Sequence, residues 1–240
     1  MPDYNFSEIV SITTNSTNPL FPALNLTELD PAAVWRAASF SVAITLIFDL
    51  ASSQNVNKIW LNNANFTSAT IQANSTDSWA APAVTKDVTL AKDDLGICRG
   101  YYALSETDYR YVRLVIPVQT LLRGTVPELG NVIVGEDIDL SPVAEFNSEI
   151  AEEYYTFLSD SGRYFKKRKH TPRHVLSLAF ANQTKTVIDA LPLTGWNNAI
   201  IFSDLSDVAE AYLVYSPVER RKITRSPLDC SLSFTLEELV

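Results

Sequence analysis

Apolar and polar residues alternate with a period of two along much of the chain before Gly135. Tyr109, Tyr111, Arg113 and Val115 alternate with Arg110, Val112, Leu114 and Ile116, one set forming an apolar face. A polar turn at Thr125-Val126-Pro127-Glu128 follows, then Val132-Ile133-Val134, stopped by Gly135. This predicts two strands joined as a closing hairpin. Upstream, Ala43 to Leu50 is almost continuously apolar, which implies a central strand covered on both faces or one whose outer face meets a partner. A loop at Ala51–Asn55 leads into a strand at Val56–Asn63. Phe66 to Asn74 predicts another, with Ser68, Thr70 and Gln72 outward and Ala69, Ile71 and Ala73 inward. Val84–Leu90 and Ile97–Leu104 are further strands, separated by a turn at Lys92–Gly96. Short strands with turns about every 8–12 residues are the spacing of a β-sandwich.

The ends of this region differ from its middle. Residues 1–33 are rich in Asn, Ser, Thr and Pro, which favour turns. Asp137–Pro142 is a polar, Pro-ended segment, and the expected domain boundary falls there: 1–138 for the sandwich, 139–240 for a smaller β-rich (α+β) domain. In the second part, Asn147–Ser159 reads as helix or strand equally well. His174–Ala181 alternates as a strand, Asn182–Leu191 resembles a helix capped at Asn182, and Ala199–Phe202 is a short strand. Asp207–Tyr215 reads as strand or helix, and Leu232–Leu239 as an alternating strand.

Composition narrows the function classes. Hydrophobic content of 46% and charge of 20% suit a globular protein of 240 residues. The net charge of −9 argues against a dedicated nucleic-acid binder, whose affinity rests on neutralised phosphates. The longest apolar stretch, Phe40–Leu50, carries Ser41, Thr45 and Asp49 and falls short of the ~20 apolar residues of a bilayer span. MPDYNFSEIV lacks the charged and apolar regions of a signal peptide, so a soluble cytoplasmic product is expected. On that reading the sequons at Asn5, Asn15, Asn25, Asn65, Asn74 and Asn182 are not glycosylated, and for Cys98 and Cys230 two buried free thiols are favoured over the alternative of a disulfide.

The chemistry-bearing residues are few. No catalytic motif or cofactor loop is present, so neither an enzyme nor a cofactor is expected. His170 and His174 are separated by Pro172, which breaks the helix a shared metal would need. Asp93-Asp94 and the pair Asp137 and Asp139 read as turn aspartates ahead of Ca²⁺ ligands. Arg163, Lys166, Lys167, Arg168, Lys169 and Arg173 form a basic run, with Arg220, Arg221 and Lys222 as a second cluster. The acidic balance favours a solvated hairpin or a protein contact over nucleic acid. Such a basic face could pair with the acidic first domain of a neighbouring copy. Trp60, Trp79, Tyr101, Tyr102 and Trp196, taken as exposed, are candidates to stack on sugar rings.

Four segments carry a family resemblance: Trp35-Arg36-Ala37, Ile47 to Leu50 with Ile59 to Asn65, Tyr111 to Ile116, and Leu129 to Glu136. They resemble galactose-binding-like (discoidin-type) modules of tailed-bacteriophage minor tail and distal tail proteins. Val175–Phe180 and Leu232–Glu238 resemble the companion domain of those proteins. The resemblance implies a jelly-roll sandwich with Trp35 plugging one end. It further implies a structural virion protein at the phage tail tip, assembled in the host cytoplasm. That protein would be a hexameric ring adaptor between the tail tube protein, the baseplate hub and the tail fibres or receptor-binding proteins. A carbohydrate-binding, receptor-recognition module is the alternative. Arg113 and Arg123 are the residues expected to fix the domain junction.

Overall fold

The computed structural model describes residues 7–28, 33–92, 97–104 and 108–135 in full, and beyond them the backbone of eight strands between Val143 and Glu238. The chain divides into two compact units, Met1–Ile138 with Ser203–Ala211, and Asp139–Phe202 with Tyr212–Val240. Both are built of strands among the described residues.

The first unit runs β1 (Ser11–Thr14), a 3-10 turn (Ala23–Thr27), β2 (Trp35–Arg36), β3 (Ile44–Asn55), β4 (Lys58–Ala64), β5 (Ser68–Asn74), β6 (Val84–Thr89), β7 (Ala91–Lys92), β8 (Cys98–Ala103), β9 (Asp108–Ile116), β10 (Glu128–Leu129) and β11 (Asn131–Gly135). A five-stranded antiparallel sheet has the order β1-β3-β9-β5-β6, and a four-stranded one the order β11-β4-β8-β7. Strands β2 and β10 pair separately.

The core lies between the two larger sheets. Alternation puts Ile44, Leu46, Phe48 and Leu50 of β3 inside, with Val112, Leu114 and Ile116 of β9 and Ala69, Ile71 and Ala73 of β5. Ile59 and Leu61 of β4 and Val132 and Val134 of β11 face them from the other sheet. Each fully buried aliphatic or Phe side chain contributes roughly 1.5–3 kcal/mol, so this alternation is what holds the sheets together. Trp35 is wholly buried in the same cluster.

Strand β5 keeps the expected inward and outward sets. Strand β3 is central, but it does not stop at Leu50: it continues through the expected loop to Asn55. The register against β9 jumps between Asp49 and Gln54, with Ala51 at φ 62°. Opposite this irregularity, Tyr109 is buried and Arg110 and Tyr111 are both half-exposed, so the simple alternation breaks at that end.

The closing hairpin is corrected. Strand β9 pairs with β3 and β5, whereas β11 pairs with β4, so the connection between them crosses from one sheet to the other. Pro117–Gly130 is too long for a tight turn, and side chains secure it. Gln119 accepts from the Thr67 and Ser68 N–H groups, both at 3.1 Å, and donates to the Ser68 carbonyl at 2.7 Å. Buried Asn65 donates to the carbonyls of Arg123 and Val126 and accepts from Glu128 N–H. Gly124, at φ 72°, sits where only a residue without Cβ turns freely.

In the second unit, β12 (Val143–Ala151), β13 (Tyr154–Leu158), β14 (Tyr164–Arg168), β15 (Arg173–Gln183), β16 (Ile200–Ser203), β17 (Ala211–Tyr215), β18 (Arg221–Arg225) and β19 (Cys230–Glu238) follow. A six-stranded sheet is ordered β12-β15-β19-β17-β16, with β18 also on β19, and β13 and β14 pair with each other. The stretch Asn147–Ser159, open between helix and strand, supplies parts of β12 and β13. Asn182 lies inside β15 and so does not cap a helix. The rest of that expected helix, residues 184–191, lies outside the described residues.

Candidate functional site

The outward face of the five-stranded sheet collects the first unit's polar chemistry. Register places Thr45, Ile47 and Asp49 of β3 beside Val115, Arg113 and Tyr111 of β9. Thr70, Gln72 and Asn74 of β5 lie on the far side of β9 from them. All nine are half-exposed.

The loop after β5 brings Trp79 onto this face. Asn74 starts it by donating its side-chain amide to the Ser78 carbonyl at 2.6 Å and accepting from Ser75 N–H at 2.9 Å. Ser78 N–H donates to the Thr76 carbonyl at 2.8 Å, tightening the turn. Trp79 then donates its indole N–H to Asp77 at 2.6 Å, and the Arg113 guanidinium lies 4.4 Å from its ring centroid. Arg113 is held in turn by Gln72, whose carbonyl oxygen accepts from Nε at 2.7 Å and from Nη2. Burial keeps the Arg113 guanidinium below its ordinary pKa, and Asp77 pulls the other way. An aromatic ring fixed at its edge by a carboxylate and on one face by a cation is a rigid platform. Half-exposed, it still presents apolar surface to solvent.

The remaining charges on the face are matched. Arg110 donates Nε and Nη2 to the two oxygens of Asp49 at 2.9 and 3.0 Å and lies 4.9 Å from the Tyr111 centroid. The Arg110 hydrogen bond holds the Asp49 carboxyl below its ordinary range, against a smaller opposing effect of burial. Thr70 donates its hydroxyl to Asp87 at 2.6 Å.

A second cluster joins Arg36 to Glu128 at 2.8 Å and Arg123 to Glu128 at 3.7 Å, with Arg123 Nη2 donating to Asn63 at 2.7 Å. Arg36 also lies 4.1 Å from the Phe21 ring centroid. These ties lock loops to β10, and each polar group spends its main contacts on a neighbour.

The expected sugar-stacking aromatics do not form one group. Trp60 is only 1% exposed: Ile59 and Leu61 join the core, so Trp60 is buried on the other face of the four-stranded sheet with Ile133. Tyr102 is buried and donates its hydroxyl to the Thr89 carbonyl at 2.7 Å, and burial raises its pKa. Both are therefore corrected from exposed contacts to packed ones. Tyr101 is half-exposed, with Lys58 Nζ 5.9 Å from its ring centroid, but it belongs to the four-stranded sheet, not to the Trp79 face. Trp196 lies outside the described residues. Arg113 and Arg123, expected at a domain junction, make the contacts given above within the first unit.

Of the basic run, Lys166, Lys167 and Arg168 fall in β14 and Arg173 opens β15, while Arg163 and Lys169 lie outside the described residues. Arg221 and Lys222 begin β18, and Arg220 lies outside. His174 is in β15; His170, Asp93, Asp94, Asp137 and Asp139 lie outside the described residues. Among the described residues, no three His, Cys, Asp or Glu side chains gather as metal ligands, and Cys98 is buried in the core. No helix among the described residues is long and apolar enough to cross a membrane.

Sequence reasoning found Trp79 and missed its companions. Gln72 and Asp77 lie within seven residues of Trp79, but Arg113 is far from them in the chain, and only the β5–β9 register brings it opposite Gln72. The outward positions of the two strands were legible; their pairing was not.

The fold and the face together define a two-sheet antiparallel sandwich with a polar, aromatic-bearing outer face. No family model and no curated protein matches the chain. Solved structures are similar to it over about half of its length. The lectin domain of lectinolysin complexed with Lewis B antigen aligns at 15% identity and TM-score 0.43, covering 53% of this chain and 93% of that one. A fucose-binding module of Streptococcus pneumoniae, SpX-3, aligns at 12% identity and TM-score 0.44, covering 56% and 98%. Chitosan-binding module 1 from a chitosanase/glucanase of Paenibacillus sp. IK-5 aligns at 23% identity and TM-score 0.45, covering 55% and 99%.

Proposed function

We propose that the first unit is a carbohydrate-binding module that takes a neutral glycan on the outer face of its five-stranded sheet. The observation that carries this is the Trp79 platform, held by Asp77, Arg113 and Gln72. A pyranose ring has an apolar C–H face and a rim of hydroxyls. The indole matches the first, and the carboxylate, guanidinium and amide around it match the second. Matched charges at Asp49–Arg110 and Asp77–Arg113 suit a neutral ligand, since an acidic sugar would meet carboxylates as readily as cations. The tail-tip adaptor implied by the sequence resemblance gains no support from the fold or from the similar structures.

A glycan array with the full chain tests the reading, followed by titration of the best ligand against Trp79→Ala and Tyr101→Ala. Trp79→Ala should weaken binding by about tenfold or more, a loss of about 1.4 kcal/mol, and Tyr101→Ala should leave it unchanged. A Trp79→Ala protein that binds as the parent does would sink the proposal. So would a preference confined to Tyr101.

A further inference from the structure

A second aromatic ring on the outer face of the five-stranded sheet rests against a guanidinium. The Arg110 guanidinium lies 4.9 Å from the Tyr111 ring centroid, as that of Arg113 lies 4.4 Å from the Trp79 centroid. Each arginine is fixed in turn by a side chain of a neighbouring strand. Asp49 of β3 accepts from Nε and Nη2 of Arg110, and Gln72 of β5 accepts from Nε and Nη2 of Arg113. The two assemblies are built alike, and both rings are half-exposed. A ring held from one side by an anchored cation keeps its other side for a ligand at little cost in ordering.

One strand sets their spacing. Tyr111 and Arg113 are outward positions two residues apart on β9, which places them about 7 Å from each other along the strand. Opposite them on β5 stand two amides, Asn74 beside Tyr111 and Gln72 beside Arg113. The face therefore repeats one unit, an aromatic ring with an arginine and an amide at its rim, along the direction of β9. A single pyranose ring is matched by one such unit and leaves the other facing water. A chain of pyranoses repeats its own apolar face and hydroxyl rim, as the protein surface does.

We infer that the outer face takes two or more consecutive units of a chain glycan, with Trp79 holding one ring and Tyr111 a neighbouring one. Tyr111 is thereby a specificity-determining residue that selects chains over single sugars. Once one ring is seated on Trp79, the next meets Tyr111 at the high effective concentration of a tethered group. The inference rests on the glycan reading of Trp79 and adds to it a length requirement.

Isothermal titration calorimetry of the full chain with neutral gluco-, manno-, xylo- and N-acetylglucosamine oligosaccharides of one to six units tests it. The parent, Tyr111→Ala, Tyr111→Phe and Trp79→Ala are compared. In a series that binds, affinity should rise by about tenfold or more between one unit and three, then level off. Tyr111→Ala should remove that rise and leave the single sugar within about twofold of the parent, Tyr111→Phe should keep it, and Trp79→Ala should weaken every length. In the parent, the Tyr111 ring resonances should move together with the Trp79 indole signal when a chain is added, a readout that does not depend on any variant folding. A single sugar that binds through Trp79 as tightly as its hexamer, or a hexamer that shifts Trp79 and leaves Tyr111 in place, would overturn the inference while the glycan reading stands. Binding by no series, or binding that survives Trp79→Ala, would overturn both.

Discussion

The two sheets of the first unit bury the same kind of inner face and treat their outer faces oppositely. On the four-stranded sheet the outward row Trp60–Ile133 is buried, and its aromatic is spent on packing. On the five-stranded sheet the row Ile47–Arg113–Gln72 stays half-exposed, and Trp79 arrives from a loop to lie over Arg113. Both sheets show period-two alternation, so alternation alone does not tell a packed outer face from an exposed one. The partners of each aromatic do: Trp79 donates its indole N–H to a carboxylate, whereas the buried Trp60 indole N–H has no acceptor among the described residues.

The contrast can be broken most forcefully at Trp60. Trp60→Ala should cost about 3–5 kcal/mol of stability, read by chemical denaturation, because a large buried ring is removed. Glycan affinity per folded molecule should stay the same. Trp79→Ala should do the reverse, with a stability change within about 0.5 kcal/mol. If Trp79→Ala destabilises as much as Trp60→Ala, the two faces are not different in kind.

The loop crossing between the sheets comes next. Asn65→Ala leaves the Arg123 and Val126 carbonyls and the Glu128 N–H without their side-chain partner. Denaturation should show a loss of about 1–3 kcal/mol. A smaller gain is expected at the bulge. Ala51 is exposed at φ 62°, so Ala51→Gly should relieve left-handed strain and raise stability by up to about 1 kcal/mol, seen as a higher melting temperature.

The smallest effect is the pH response of Asp49. Its folded pKa is depressed, chiefly by the Arg110 hydrogen bond, below the ordinary 3.8. The stabilisation is therefore present above pH 3.8 and is lost as the pH falls through the lower folded value. Asp49→Asn should flatten that acid limb of the stability profile while leaving neutral-pH binding at Trp79 intact.

Much of the first unit was legible because one signal, apolar residues every second position, governs both sequence and burial. It placed β5, β6, β8 and β9 to within a residue or two and the inward set of β5 fully. It failed where a non-local contact decides. The extension of β3 through Asn55 depends on the bulge opposite Tyr109, and Arg110 faces outward because Asp49 holds it there. The supposed hairpin partners β9 and β11 belong to different sheets because Gln119 and Asn65 anchor the connection from afar. The candidate face was half legible. Trp79 could be named from the chain, but so could Trp60, and only their burial and partners in the fold separate them.

The most direct test of the Trp79 face follows the four tryptophan indole N–H resonances while the best array glycan is added. Trp79→Phe identifies the Trp79 signal by its disappearance. The account predicts that this signal moves with the binding curve while the buried Trp35 and Trp60 signals hold still. A ligand that binds and shifts the Trp60 signal but leaves Trp79 in place would contradict it.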